Sequence, residues 1–249
     1  MPTGRGQGKS VESALELEAL GAPIEVRRHP AARRLTLRVS KTKRAVIITV
    51  PADCRMEEAG KFVRSNIEWV RERLGNVPEP VPFADGAKVP LRGRLHYVRF
   101  TGPNRTRGVV EVVDIAGRIP ILGVAGQREH APRRLKDWLV EQARCDLDAC
   151  VRAHGKTLGV KARSIILRDQ TSRWGSCTAN GLLSFSWRLV LAPAQVLDYV
   201  AAHEVAHLVE MNHGPRFWRL VARAMPRLEE AKRWLRQHGP DLHRYGAIP

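Results

Sequence analysis

Three features of this 249-residue chain predict an α+β fold whose second half is built from helices around a small sheet. Residues 24–51 alternate with period two, residues 131–158 carry apolar side chains at helical spacing, and residues 193–211 form a nearly apolar stretch with no interior glycine or proline. A chain of this length can bury a full core and can hold one large or two small domains.

Taken in order, residues 1–22 are Gly-rich and then Glu/Leu/Ala-rich, which reads as a flexible tail. Beyond Pro23 the segments IEVRRH, RLTLRVS and AVIITVP read as successive strands, with Pro51 closing the third. Met56, Ala59, Phe62, Val63, Ile67 and Val70 place one helix over residues 55–74, stopped by Gly75. After the loop NVPEPVPFADG, the pieces KVPLRG, LHYVRF, VVEVVDI and RIPILG are strand-like. Residues 23–123 therefore form a β-rich region with no evident catalytic cluster. Residues 124–249 open with a long helix whose apolar face is Leu135, Trp138, Leu139, Ala143, Leu147 and Val151. The strand SIILRD, the segment QTSRWGSC, a turn at Ala179-Asn180-Gly181 and the strand LLSFSW follow.

The next helix carries the chemistry. Within residues 193–211 stands His203-Glu204-Val205-Ala206-His207, an HExxH motif. Residues four apart lie on one helical face, so His203 and His207 can present two imidazole nitrogens to one ion, with Glu204 beside it. Buried, unpaired His and Glu would cost several kcal/mol in so apolar a helix, and a bound cation removes that difficulty. His213 is the better third ligand, provided that the chain leaves the helix near Met211 and Asn212; Asn212 tolerates a left-handed conformation and Pro215 suits a new helix start. Glu210 is a rival on the same helical face. Glu229 and Glu230 are more distant rivals in the amphipathic helix MPRLEEAKRWLRQHG, where a solvated face accounts for them. Three protein ligands leave the fourth position of one Zn2+ ion open to water, the arrangement of a catalytic site. Zinc brings that water's pKa to about 7, and Glu204 is placed to accept its proton and pass it to a leaving amine. A helix, a small sheet and this metal-binding helix, in that order, match a zincin-like core. In such a core a strand beside the metal can pair with extended substrate, and residues 182–187 are the candidate strand.

Thr171-Ser172-Arg173-Trp174-Gly175-Ser176-Cys177 admits two readings. Structurally, Trp174 fills a core gap, Gly175 permits a bend and a carboxylate such as Asp169 holds Arg173. Functionally, Arg173, Trp174 and Ser176 are candidates for a place beside the metal or substrate, where a cation or hydroxyl stabilises an oxyanion.

Composition narrows the class. No run of eighteen apolar residues is present, and MPTGRGQGKS lacks the apolar core of a secretory signal, so no membrane partner and a cytoplasmic location are expected. Cys54, Cys145, Cys150 and Cys177 contain no CxxC pair, which speaks against a disulfide framework or a thiolate zinc knuckle. The net charge of +17 would attract nucleic acid or nucleotides, yet residues 1–131 carry 23 basic and 14 acidic side chains and residues 132–249 carry 19 and 11. No block concentrates the excess, and a generally basic solvated surface explains it.

RHPAARRLTLRVS, VIITVP, NIEWVRERL, TSRWGSC, NGLLSFSWRLVLAP, LDYVAAHEVAHLVEMNHGPRFW and RWLRQHG resemble, in order, the YgjP-like metallopeptidase domain family, related to SprT-like proteases. The resemblance covers about residues 24–238 and implies zinc held by His203, His207 and His213, with Glu204 as catalytic acid/base. The substrate stays open between three classes: a protein or peptide cut by a zinc peptidase, a nucleotide cut by a metal-dependent phosphohydrolase, or a protein cut in association with DNA. The absence of a Gly-rich phosphate loop and of an aromatic-rich basic patch weighs against the last two.

Overall fold

The computed structural model describes residues 22–40, 44–102 and 109–246; the expected tail lies, except for Ala22, outside the described residues. The chain divides into two compact units, residues 1–79 and 80–249.

In the first unit, β1 (Ile24–Arg28) pairs in parallel with β3 (Ala45–Val50), and β2 (Thr36–Ser40) pairs with β3 antiparallel, giving the order β1-β3-β2. The most apolar strand thus takes the centre, where a strand is covered on both faces. The single helix expected over residues 55–74 is two, α1 (Met56–Ser65) and α2 (Ile67–Gly75). Asn66 causes the break: its side-chain Nδ2 donates to the carbonyl of Phe62 at 2.8 Å, the local competition that makes Asn a poor helix-interior residue. Ala59 and Val63 of α1 pack with Ile48 and Val50, and Val70 and Leu74 of α2 pack with Val46.

The second unit begins with a four-stranded sheet in the order β4-β5-β7-β6, made of β4 (Lys88–Leu91), β5 (Arg94–Gly102), β6 (Val110–Val113) and β7 (Ile121–Ala125). Arg92 and Gly93 both have positive φ (49° and 79°), the backbone of a tight hairpin whose twist matches the flanking strands. That hairpin docks on the segment leading into the HExxH helix: Arg92 N donates to Val190 O at 2.7 Å, and Gly93 N donates to Leu191 O at 3.2 Å. The Arg92 guanidinium closes the attachment with two 2.8 Å bonds to Asp146 on the long helix α3 (Ala131–Leu158).

Helix α3 buries Leu135, Leu139, Ala143 and Leu147 along one face, as expected, and ends at Gly159 with φ 73°. Each buried leucine contributes about 1.5–3 kcal/mol of transfer free energy. One continuous core runs from Phe83 to Leu242 and joins the four-stranded sheet, α3 and the helices that follow. Strands β8 (Ser164–Arg168), β9 (Gly175–Cys177) and β10 (Leu182–Ser186) form a second sheet in the order β8-β10-β9. This order corrects the expectation for residues 182–187. Strand β10 is central, with neighbours on both sides, so its backbone groups are already paired and an edge strand must serve any substrate.

The remaining helices are α4 (Ala194–Ala206), α5 (Pro215–Ala224) and α6 (Leu228–His238). Pro215 begins α5, as expected. No helix among the described residues is long and apolar enough to cross a membrane.

Candidate metal centre

Helix α4 is buried along most of its length and carries His203 and His207 one turn apart, His207 being its C-cap. The helix ends earlier than the sequence suggested, by a tightened turn. Leu208 N donates to Val205 O and Val209 N donates to Ala206 O, the i→i+3 bonds of a 3-10 ending. Asn212 is not left-handed, and Gly214 is extended (φ −79°, ψ −177°). The return of the chain toward the helix therefore needs neither residue in a strained conformation.

That return brings His213 to the first two histidines. One ring nitrogen from each of His203, His207 and His213 lies within 4.8 Å of the others. The Nε2 atoms of His203 and His213 are 3.1 Å apart. Nitrogens bonded at about 2.0–2.1 Å to one tetrahedral ion sit about 3.3 Å from one another, so the cluster has the right size for a shared ion. His207 Nδ1 meets the carbonyl of Glu210 at 3.1 Å, which fixes the tautomer that leaves Nε2 with its lone pair. Burial lowers the pKa of His203 to about 4 and also lowers that of His207, so both rings favour the neutral form that ligates. Three imidazoles with one ring nitrogen each converging on a common point fit a divalent cation. His is a good ligand for several such metals, and the open, all-nitrogen geometry suits zinc.

Two of the carboxylate rivals, Glu210 and Glu229, are engaged elsewhere. Glu210 accepts a hydrogen bond from Asn212 N at 3.3 Å and has Arg216 3.8 Å away; Glu229 faces Lys232 at 3.4 Å. Among the described residues, no other group of three His, Cys, Asp or Glu side chains clusters in this way.

Phe217 was not anticipated. It is fully buried on α5, with its ring centroid 4.5 Å from that of His207, 4.7 Å from that of His213 and 4.8 Å from that of His203. All three imidazoles are thereby braced against one apolar ring. The adjacent pair Phe217-Trp218, four residues beyond His213, is the only signal the sequence offered.

Glu204 is buried, at 5% exposure, and its carboxyl is pushed up to about 7 by burial, with the charge of Arg173 acting in the opposite direction. Strand β9 runs beside it. Trp174 O accepts from Ser186 N, Ser176 faces Ser184, and Thr178 N donates to Leu182 O. By antiparallel alternation, the backbone N–H and C=O of Gly175 and Cys177 point away from β10, toward an edge that no described strand occupies. Side chains alternate too. Gly175 and Cys177 share the face turned to Glu204, and Ser176 lies on the opposite face, where Ser184 is held by Gln170. Ser176 therefore turns to the face of the sheet opposite Glu204.

The Trp174 ring packs 5.2 Å from that of His243 and lies against Gly239. Asp169, the partner expected for Arg173, belongs instead to Arg188. Arg173 is exposed, and its influence on Glu204 is electrostatic. All four cysteines are free, and burial pushes the Cys150 thiol up to about 12.

A helix-borne pair of histidines, a third brought in by the following turn, and a buried carboxyl between them and a strand edge make up a site that could hold a metal ion. The family model described as YgjP-like, metallopeptidase domain matches residues 33–238, and the chain belongs to that family. It is accordingly grouped with metallopeptidases, hydrolases that employ a metal ion. The metallopeptidase zymogen of Pyrococcus abyssi abylysin, a crystal structure, aligns with 36% of this chain and 93% of its own at 19% identity and a TM-score of 0.34, a likeness too slight to bear on fold or mechanism. No functionally curated protein matches the chain.

Proposed function

We propose that this chain is a zinc-dependent peptidase in which Glu204 accepts a proton from the attacking water and delivers it to the departing amine. The observation that carries the reading is the convergence of His203, His207 and His213 within 4.8 Å, with a buried carboxyl on the intervening helical turn. When bound, zinc supplies a Lewis acid that acidifies water and polarises the scissile carbonyl. The protein's own residues do the rest. Burial keeps Glu204 out of bulk water, where a proton acceptor acts with least reorganisation. The outward N–H and C=O groups of Gly175 and Cys177 supply an edge on which an extended peptide can pair, at the side of the sheet nearest Glu204. Arg173, exposed near the same carboxyl, is suited to a developing negative charge.

The test is Glu204→Gln, which keeps the shape and removes the base. Zinc content should be unchanged, and cleavage of fluorescein-labelled casein should fall by about 10²–10⁴-fold. Parallel incubations with nucleoside triphosphates, and with casein in the presence of DNA, separate the other substrate classes. Phosphate release without peptide cleavage would contradict the peptidase reading.

A further inference from the structure

Nothing in the backbone of β9 asks for glycine at position 175. Its φ lies outside the left-handed region occupied by Gly159, Gly181 and others, and its neighbours Ser176 and Cys177 continue the strand with ordinary side chains. Residue 175 itself lies in the strand, and the bend falls at Trp174. Space is what singles the position out. A Cβ built on Gly175 would stand 2.5 Å from Glu204 Oε1, 2.7 Å from its Cγ and 2.8 Å from its Cδ, all closer than real Cβ contacts allow.

We infer that Gly175 is a positioning residue for Glu204: the missing side chain is the slot in which the Glu204 carboxyl lies. Three successive groups of the glutamate occupy that slot, so rotation of the carboxylate plane alone cannot clear an added methyl. The whole side chain would have to swing from its Cβ. At 5% exposure it is walled in by the core of which Val205 and Ala206 are part. The adjoining residues on the strand serve other ends. The Trp174 carbonyl binds Ser186 N, and Ser176 turns to the opposite face. The SRWGSC segment thus acts on the carboxyl through its one residue without a side chain, and Arg173 adds charge from the same strand end.

The inference rests on the reading of Glu204 as proton acceptor, and a double-mutant cycle separates the two. Gly175→Ala, Glu204→Ala and the double variant are compared with the full-length protein by thermal unfolding. Overpacking should lower the Tm of Gly175→Ala by about 3–10 °C relative to the unaltered protein. In the Glu204→Ala background, where the clashing atoms are gone, the same substitution should change Tm by less than about 1 °C. Should Gly175→Ala fail to fold, the double variant must fold. An unchanged Tm in the first comparison, an equal loss in both backgrounds, or failure of both variants to fold overturns the assignment. With casein as probe, Gly175→Ala should lower kcat by more than about 10²-fold with KM little changed, since the group displaced acts in the proton-transfer step. A protein that never cleaves casein weakens the peptidase reading and leaves the stability cycle to decide the role of Gly175.

Discussion

Replacing Arg188 with methionine tests how the wall behind strand β9 is held. The guanidinium is 9% exposed and makes four hydrogen bonds: Nε and Nη2 donate to the two oxygens of Asp169 at 2.6 and 3.2 Å, and Nη1 donates to the carbonyls of Leu242 and Tyr245 at 3.1 and 2.6 Å. Those carbonyls belong to the carboxy-terminal segment against which Trp174 packs, so one side chain joins the strand arm of the site to the end of the described chain. Asp169 is 38% exposed, and solvent screens its share of the pair. Most of the loss then comes from the two carbonyl bonds, at about 1–1.5 kcal/mol each, and from a half-buried carboxylate left unpaired, for a total of about 3 kcal/mol. For a protein of this size that lowers Tm by roughly 6–12 °C. Differential scanning calorimetry of Arg188→Met and of Arg188→Met/Asp169→Asn measures it, and the double variant should recover part of the loss because the orphaned charge is gone. A fall of less than about 3 °C in the single variant would refute the view that this clamp holds the segment.

Other outcomes follow from the same geometry. Gly93→Ala combines a positive φ with a Cβ 2.9 Å from Pro193 Cα, and should destabilise the protein by about 1–3 kcal/mol, read as a lower urea midpoint. Burial, with the charge of Arg188 adding and that of Asp169 opposing, pushes His243 down to about 4. The unfolded chain therefore binds the extra proton between about pH 6.5 and 4, so stability is full above pH 6.5 and falls on acidification through that window, by at most about 3 kcal/mol. A His243→Asn variant should show a flatter Tm profile between pH 8 and 4. Burial alone would raise Asp169, but its bonds to and attraction by Arg188 outweigh that and lower it, so its stabilising contribution persists above the usual carboxylate range and is lost only as pH drops below about 3.8.

The histidine cluster was legible in the sequence because its two ligands sit on one helical turn and the third follows within six residues, so local geometry nearly determines it. The exit from the helix was foreseen, but its means were not. A 3-10 ending after Ala206 did what a left-handed Asn212 was expected to do, since backbone hydrogen bonding at helix ends has more than one solution. Long-range pairing was not legible. Strand β10 read as a strand, whereas β9 is three residues long and lay unmarked within QTSRWGSC, and its place as the free edge depends on β8 joining the far side of β10. In the same way Asp169 had two arginines to choose from, and only the fold shows Arg188 rather than Arg173 at its oxygens. Gly175 looked like a bend because glycine commonly marks one; its close approach to Glu204 spans 29 positions of sequence and no periodicity announces it.

Metal content after equilibrium dialysis against zinc, measured on the unaltered protein and on His203→Ala, His207→Ala, His213→Ala, Glu210→Ala and Glu204→Gln, bears most directly on the three-histidine centre. One zinc per chain is expected for the unaltered protein, for Glu204→Gln and for Glu210→Ala, with affinity reduced by more than about 100-fold in each histidine variant, since loss of a ligand costs more than loss of its supporting hydrogen bond. Full zinc occupancy in His213→Ala, or its loss in Glu210→Ala, would contradict the arrangement on which the proposed chemistry depends.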